Sequence, residues 1–392
     1  MRRIADAERR ARLGVRHALG SRVRSVEEAT DAVVALHSSD PATVYLSARA
    51  RVGAFEPRDL EDALYTRKTL VRMLGMRRTL FVVPRDLAPV MHEACTKALI
   101  SRERTRLVRM LEDQGLARAG RGERWLDRVE DETLSALGSR GEASAREVTA
   151  DVPELANKLV FGRGSAWEAS VGVSTRVLFM LATEGRIVRT RPLGAWTSGQ
   201  YRWSPVERWL GAPLRAIDQD EACADLLRRW LGRFGPATTT DIRWWTGWTA
   251  RLTASTLEAI GAAEVRLKDD VAFVLPDDLD AVEPPEPWVA LLPGLDPSIM
   301  GWKERAWYLG RHETDLFDRN GNAGPTVWAN GRVIGAWGQT ADGRIVTKLM
   351  TRIDAGTRSI LEAERERLRD WLGDVRIRTR FGTALERSLA GR

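Results

Sequence analysis

The sequence predicts an α+β protein in which groups of helices are each followed by a short β-hairpin. Three observations support this fold class. Helical spacing of apolar residues gives way to alternating, strand-like spacing at three places along the chain. Glycine or proline stands where helical patterns end, as at Gly185 and at Gly235-Pro236. The residues that follow the proline-rich segment 284–287 carry several short strand patterns in close succession.

Length and composition describe a globular protein suited to polyanionic partners. The chain has 392 residues, enough for roughly two to four domains, and a formal net charge of +7. Of its 61 basic residues, 55 are arginines, whose guanidinium groups match phosphates and base edges. Codon usage in a GC-rich genome would also enrich arginine. The composition therefore permits a nucleic-acid partner without requiring one.

The sequence shows no pattern for export, membrane insertion or cofactor binding. No apolar run approaches the roughly 20 residues of a membrane helix, and the polar N-terminus lacks a signal-peptide core. Two cysteines give neither a disulfide framework nor a thiolate metal site. The four histidines have no metal-ligand spacing, and no glycine-rich loop precedes a Lys-Ser or Lys-Thr pair. We expect a cytoplasmic, nucleoid-associated protein that uses no metal and no cofactor.

The first predicted unit covers residues 1–95. Its helices are expected over residues 5–19, 25–36, 44–51, 57–65 and 67–73, followed by a strand over 78–83. The segment His37-Ser38-Ser39-Asp40-Pro41 predicts a turn, because proline disfavours a helical residue before it. Helices in series, closed by a short pair of strands, are the outline of a winged helix.

Two further units repeat this outline after a helical connector over residues 96–137. In the second unit, residues 138–210, a helix over 168–184 precedes a hairpin formed by strands over 186–191 and 200–203. The third unit covers residues 211–284. Its helices are expected over 220–234, 238–245 and 252–260, and its strands over 264–267 and 271–275. Three similar units in tandem are the main organisational prediction.

The last region, residues 285–392, is predicted to be a small β-sheet or barrel closed by a helix. Its strands are expected over residues 288–292, 325–329, 332–337 and 344–349, and its helix over 355–372. Asn330-Gly331 and Asp342-Gly343 favour tight hairpin turns, because these residue pairs tolerate positive φ.

Arginines and aromatic residues alternate along the predicted hairpin of the second unit. Its candidate DNA-binding residues are Arg186, Arg189, Arg191, Tyr201 and Arg202. Cations at these positions would meet phosphates, and aromatic rings would stack on bases. In the alternative interpretation, the aromatic rings pack beneath the hairpin and the arginines are solvated.

Two other segments supply candidate DNA contacts. Arg77 and Arg78 are expected beside a central pocket of the first unit. Lys303 and Arg305, together with Asp296, would either touch DNA or fix the C-terminal region to the helical units.

Six stretches, at residues 36–44, 76–81, 185–203, 234–248, 291–305 and 324–337, resemble one bacterial family of winged-helix DNA-binding proteins. Its characterised members include the crosslink-unhooking DNA glycosylases of the AlkZ and YcaQ type. The resemblance implies three winged helices wrapped into a C shape, followed by a C-terminal β-barrel. It also implies a partner that is double-stranded DNA, alkylated or crosslinked, which a monomer could enclose.

In the glycosylase members, a Gln-x-Gln or Gln-x-Asp motif holds the water that attacks the sugar C1′. His37-Ser38-Ser39 stands at the matching position, without either glutamine, and Asp40 follows. His37 would act as the base, Ser39 would hold the water, and Asp40 would orient His37 or stabilise the oxocarbenium-like cation. In the structural alternative, Ser39 or Asp40 caps the next helix and His37 fills the turn.

Two hypotheses of function follow. In the first, the chain is a monofunctional DNA glycosylase that excises bulky or N-alkylated purines by water attack at C1′. In the second, it binds DNA without catalysis, as a damage sensor, a regulator or a genotoxin self-resistance factor. A pocket that opens at His37 favours the first hypothesis. A buried His37, with Ser39 and Asp40 engaged in capping, favours the second.

Overall fold

Helices alternate along the chain with small sheets of two to four strands, which confirms the mixed α+β class. The structure is a computed structural model that describes residues 1–162, 164–165, 168–268 and 270–391. None of the helices in these ranges has the length and apolar character needed to cross a membrane. The division into winged-helix units stays a prediction.

The first region supplies the strand that carries His37. Its elements are β1 (Arg2–Arg3), α1 (Asp6–Arg16), α2 (Val26–Asp31), β2 (Leu36–His37), α3 (Pro41–Arg51), α4 (Pro57–Glu61), β3 (Leu70–Leu74), β4 (Leu80–Pro84) and α5 (Leu87–Met91). Strand β4 pairs with β3 and also with β2, where His37 lies opposite Phe81. The helix expected over residues 67–73 is wrong. Residues Leu70–Leu74 are all buried as a strand, because pairing with β4 satisfies the backbone of this apolar run.

The middle region has its own hydrophobic core. Its elements are α6 (Ile100–Asp113), α7 (Gly122–Arg140), β5 (Ala143–Ser144), α8 (Ala145–Asp151), β6 (Lys158–Phe161), β7 (Ala169–Gly172), α9 (Val173–Thr183), β8 (Ile187–Pro192), β9 (Tyr201–Pro205) and α10 (Val206–Leu210). The predicted hairpin is present as β8 and β9. The helix expected over 168–184 begins only at Val173, because the residues before it pair with β6 in a hairpin that the sequence analysis missed.

The third region follows its prediction closely. Its elements are α11 (Gln219–Phe234), α12 (Thr239–Thr246), α13 (Ala250–Ala259), β10 (Ala263–Arg266) and β11 (Val271–Val274). Thr238 and Asp241 accept hydrogen bonds from each other's backbone N–H groups, which fixes the start of α12 as a capping box. Strand β1 extends this sheet by parallel pairing with β10. Asp269, in the turn between the two hairpin strands, lies outside the described residues.

The C-terminal region contains an open sheet. Its elements are β12 (Val289–Leu292), α14 (Pro297–Met300), α15 (Ala306–Leu309), α16 (Glu313–Leu316), β13 (Thr326–Ala329), β14 (Arg332–Gln339), β15 (Ile345–Leu349), α17 (Ala355–Leu372) and α18 (Ala384–Leu389). The four strands pair antiparallel in sequence order, and β12 and β15 remain separate edges. The predicted barrel is therefore wrong. Four strands are too few to close around a filled interior, and α17 packs against β12 and β15 instead.

A buried ion pair joins the first region to the C-terminal region. Arg51, at the end of α3, donates to Asp296 at 2.8 Å, and both side chains are fully buried. The Ser47 hydroxyl donates to the other Asp296 oxygen at 2.6 Å. Of the two roles considered for Asp296, the structure supports the one that fixes the C-terminal region. The anchor also holds α3 and therefore the His37–Asp40 segment directly before it.

Candidate active site and nucleic-acid interface

The segment His37-Ser38-Ser39-Asp40 links the end of β2 to the start of α3. The His37 side chain is about nine-tenths buried, and its ring meets Phe81 edge-on with 5.3 Å between ring centroids. The Ser39 N–H donates to Nδ1 of His37 at 3.4 Å. A neutral imidazole nitrogen that accepts a hydrogen bond carries no hydrogen, so this contact favours the tautomer with hydrogen on Nε2. Among the described residues Nε2 has no hydrogen-bond partner, and it is not enclosed.

His37 is neutral throughout the physiological pH range. Burial, with a smaller contribution from the charge of Arg77, lowers the pKa of His37 to about 3, against the weaker opposing effect of Asp296. A neutral ring with hydrogen on Nε2 can hold a water molecule by donating to its oxygen, which leaves the second lone pair free to attack. The role of His37 as a base stays a prediction and requires the other tautomer.

Asp40 caps α3. Its Oδ1 accepts from the Ala42 N–H at 3.1 Å, and its Oδ2 accepts from the Arg380 N–H at 2.8 Å. Burial raises the pKa of Asp40, although both amides oppose that rise. Both carboxylate oxygens are thus directed at backbone amides, which is the geometry of the structural alternative. Ser39 is partly exposed.

Arg72 is a buried cation that the sequence analysis missed. This β3 residue donates through Nε to the Ser38 hydroxyl at 2.9 Å and through Nη1 to the Tyr65 hydroxyl at 2.6 Å. Its guanidinium carbon lies 4.6 Å from the centre of the Tyr201 ring. In the described part of the chain it makes no ion pair. The only signal in the sequence is a charged residue inside the apolar run Leu70–Leu74.

Three arginines of the predicted DNA-binding hairpin already have protein partners. These contacts are Arg186–Asp131 at 3.2 Å, Arg191–Glu61 at 2.8 Å, and Arg202 with the carbonyl oxygen of Glu142 at 2.6 Å. Arg186 and Arg191 are exposed. Exposed ion pairs are weak, so phosphates can replace these carboxylates without a large loss of stability.

Arg189 and Tyr201 face each other on the same hairpin. The guanidinium carbon of Arg189 lies 4.7 Å from the Trp203 ring centre and 5.9 Å from that of Tyr201. Within the described residues Arg189 forms no ion pair. The Tyr201 hydroxyl is enclosed and has no hydrogen-bond partner among the residues that the structure describes, and Trp203 belongs to the core of the middle region. The aromatic rings therefore support the hairpin, as the alternative interpretation expects for them.

Arg77 and Arg78 form the tip of the hairpin between β3 and β4. Both have left-handed backbone conformations, with φ of 55° and 64°. Such conformations cost on the order of 1 kcal/mol each and persist where the surrounding structure imposes them. The Arg77 guanidinium lies 4.2 Å from the Trp244 ring centre, while Arg78 lies 3.5 Å from Glu103. Burial and the charge of Arg305 lower the pKa of Arg77 to about 10, which leaves it cationic.

This tip borders a cavity of about 840 Å³ between the first and third regions. Side chains that line it include Arg77, Arg78, Arg102, Arg251, Cys95 and Trp248. Arg102 and Arg251 were missed, because only the packing of α6 and α13 places them beside the hairpin tip. The arrangement gives an open cavity with four cations and a partly apolar floor, which suits an anionic polymer with exposed rings.

Lys303 and Arg305 separate into two roles. Lys303 is exposed, and its side chain forms no ion pair in the described part of the chain. Arg305 is buried, donates to the Trp302 carbonyl oxygen at 2.8 Å and packs against Trp244 and Phe317. Lys303 thus remains available to DNA, whereas Arg305 fixes the C-terminal region to α12.

The described residues contain no group of three or more His, Cys, Asp or Glu side chains placed to hold a metal ion. The two cysteines, Cys95 and Cys223, are both buried and free. The side chains around His37 are hydroxyl, guanidinium and aromatic groups, which suit the binding of water and of anions.

Comparison with known proteins identifies the family. The family model described as "DNA glycosylase AlkZ-like" matches residues 30–371. The fold is similar to the solved structure of the Streptomyces sahachiroi DNA glycosylase AlkZ, with a TM-score of 0.73 and 19% sequence identity over 97% of this chain and 100% of that chain. None of the curated proteins matches the sequence.

The family match covers most of the chain and defines its class as a DNA-binding repair hydrolase. More narrowly, the chain belongs to the AlkZ-like DNA glycosylase family. This assignment confirms the resemblance found in the sequence, the DNA substrate and the DNA glycosylase function as a class. The structural similarity, at its low identity, supports the fold.

Proposed function

We propose that the chain is a monofunctional DNA glycosylase that excises bulky or N-alkylated purines, and that His37 orients the attacking water. One observation carries the proposal. At the position where family members hold the water with glutamine, this chain places a neutral imidazole whose Nε2 has no hydrogen-bond partner in the described part of the chain.

An alkylated purine suits this site because it is already a cationic leaving group. Its departure needs little acid catalysis, and the reaction passes through an oxocarbenium-like state at C1′. Water held by Nε2–H of His37 would attack that carbon and release its proton to solvent, while the purine departs as a neutral base. Ser39, which is partly exposed, would supply a second contact to the water.

We also propose how the protein engages its substrate. Residues 1–95, 138–210 and 211–284 would act as three winged-helix units in a C shape, with 96–137 as connector and 285–392 as the C-terminal region. Each unit contains helices and an antiparallel hairpin, which supports this division. Double-stranded DNA, alkylated or crosslinked, would lie against the hairpin tip at Arg77 and the cavity beside it. The protein would do so as a cytoplasmic monomer.

A non-catalytic DNA-binding role is the second candidate. Both oxygens of Asp40 are engaged by backbone amides, and the His37 side chain is about nine-tenths buried. Both observations match the structural alternative for this segment. A damage sensor, a regulator or a genotoxin self-resistance factor would need DNA binding and no group that positions water.

Base release separates the two candidates. Purified protein is incubated with duplex DNA that carries N7-alkylguanine adducts of increasing size, and alkali then converts abasic sites to strand breaks. DNA binding is measured on the same duplexes. Strand breaks that depend on the protein support the glycosylase. Binding of every duplex without strand breaks supports the non-catalytic role for these lesions.

A further inference from the structure

Arg380 joins the C-terminal segment to the candidate active site. It lies beyond residues 30–371, which the family model matches. Its backbone N–H donates to Oδ2 of Asp40 at 2.8 Å, and its side chain approaches the Ser39 carbonyl oxygen at 3.4 Å from Nη1. Arg380 is exposed and forms no ion pair within the described residues. Its guanidinium therefore stands at the edge of the candidate active site, where its charge acts on the Asp40 carboxylate.

Two other cations, Arg72 and Arg189, belong to the same neighbourhood, because Arg72 donates to Ser38 and shares the Tyr201 ring with Arg189. Burial, together with the charges of Arg72 and Arg380, lowers the pKa of Arg189 to about 10 despite the opposing effect of Tyr201. The Tyr201 ring lies within cation–π distance of both Arg72 and Arg189. In the described part of the chain, none of the three arginines forms an ion pair, and Asp40 is the carboxylate on which the Arg380 charge acts. Like charges gathered in this way repel one another, so binding of an anion among them is favourable.

The carboxylates of this neighbourhood are already engaged. Asp40 accepts from two backbone amides, and Glu61 pairs with Arg191 at 2.8 Å. One carboxylate beside three cations leaves a net positive charge, which favours binding of an anionic ligand. A phosphodiester matches two guanidinium groups, because each can donate two parallel hydrogen bonds to phosphate oxygens.

We propose that Arg189 and Arg380 together bind the DNA phosphate next to the target nucleotide. Phosphate binding at these arginines places the sugar of that nucleotide against the His37–Ser39 segment. The inference rests on the proposed function, because it takes that segment to be where C1′ reacts. Arg72, which is buried under Ser38, holds the segment in place and does not touch the phosphate.

The test measures binding to a duplex that contains a tetrahydrofuran abasic-site analogue, which cannot be cleaved by a glycosylase. We expect Arg189→Ala and Arg380→Ala each to weaken binding about tenfold, the loss of one charged hydrogen-bonded contact. The slope of log affinity against log salt should also decrease by about 1 in each variant. Arg380→Ala keeps the backbone N–H that Asp40 uses, so the fold is preserved. Arg378→Ala, an exposed arginine of the same segment, is the matched control and should change affinity less than about twofold.

A scan with neutral methylphosphonate linkages identifies the phosphate. At one linkage flanking the analogue, the methylphosphonate should weaken binding by the wild type about tenfold. The same linkage should not weaken binding by Arg380→Ala any further. The inference would be overturned if Arg378→Ala and Arg380→Ala weakened binding equally. It would also be overturned if the difference in affinity between these two variants persisted at every methylphosphonate linkage. Because this assay needs no catalysis, failure of the glycosylase proposal would appear separately, as absent base release with this binding pattern intact.

Discussion

His17 and His37 are both buried histidines, and burial lowers the pKa of each to about 3. Their surroundings differ. Nδ1 of His17 lies 2.8 Å from the Ser298 hydroxyl, its ring packs between Phe234 and Trp302, and its Nε2 is fully enclosed. His37 has one backbone contact at 3.4 Å and an Nε2 that is not enclosed. Burial and a shifted pKa are therefore common to both histidines. The difference lies at Nε2, which is fully enclosed in His17 and not in His37.

The largest expected effect is on the rate of base release when His37 is replaced. His37→Ala should lower the rate of base release by at least about 100-fold, because no group then orients the water. His37→Gln places at this position the glutamine that other family members use, and should retain activity within about tenfold of wild type. Single-turnover release from an N7-alkylguanine duplex measures both. Full activity of His37→Ala would remove His37 from the mechanism.

The second expected effect concerns stability. His17→Ala leaves a cavity among Phe234, Trp302 and Ser298, and should lower the free energy of unfolding by about 2–4 kcal/mol. The folded variant should release bases at a rate within about twofold of wild type. Urea unfolding and single-turnover kinetics at a temperature where the variant is folded provide the measurements. A large loss of activity in the folded variant would contradict the prediction that His17 contributes to stability and not to base release.

The third prediction concerns pH. Both histidines have folded-state pKa values of about 3, below the ordinary value of 6.5. The unfolded chain therefore binds protons between these values and the folded chain does not. The contribution of these two histidines to stability should fall as pH decreases below about 6.5, by up to about 1.4 kcal/mol per unit for each histidine, and should be level above it.

Urea unfolding between about pH 5 and pH 7 tests this prediction. His17→Leu should reduce the slope of the unfolding free energy against pH by the contribution of one histidine. The rate of base release, in contrast, should show no step at the ordinary histidine pKa, because His37 stays neutral. A rate that falls with a midpoint near pH 6.5 would show that His37 titrates as an accessible base.

The smallest expected effect concerns Asp40. Asp40→Asn keeps one acceptor oxygen for a backbone amide and loses the other, so the free energy of unfolding should fall by about 1 kcal/mol. Base release should change less than about fivefold if Asp40 acts only through α3. A loss of about 100-fold with stability retained would instead make the Asp40 carboxylate part of the chemistry.

Local signals predicted much of the fold. The start of the helix near residue 238 and the Asn330-Gly331 turn depend on neighbouring residues, and both appear where expected. The strand at Leu70–Leu74 and the open C-terminal sheet depend on pairing between distant segments, which short apolar patterns do not specify. The position of His37 came from the family resemblance. Arg72 and Arg380 were missed because their partners, Ser38 and Asp40, lie 34 and 340 residues away in sequence.

The bond between Asp40 and Arg380 also sets an order of events during synthesis. Asp40 leaves the ribosome 340 residues before the amide that occupies its second oxygen. A nascent chain can therefore fold its first strands and helices while one edge of its active site is still unmade. Engagement of damaged DNA in the manner proposed becomes possible only after residue 380 has been synthesised. Truncations that remove this residue would prevent the same step.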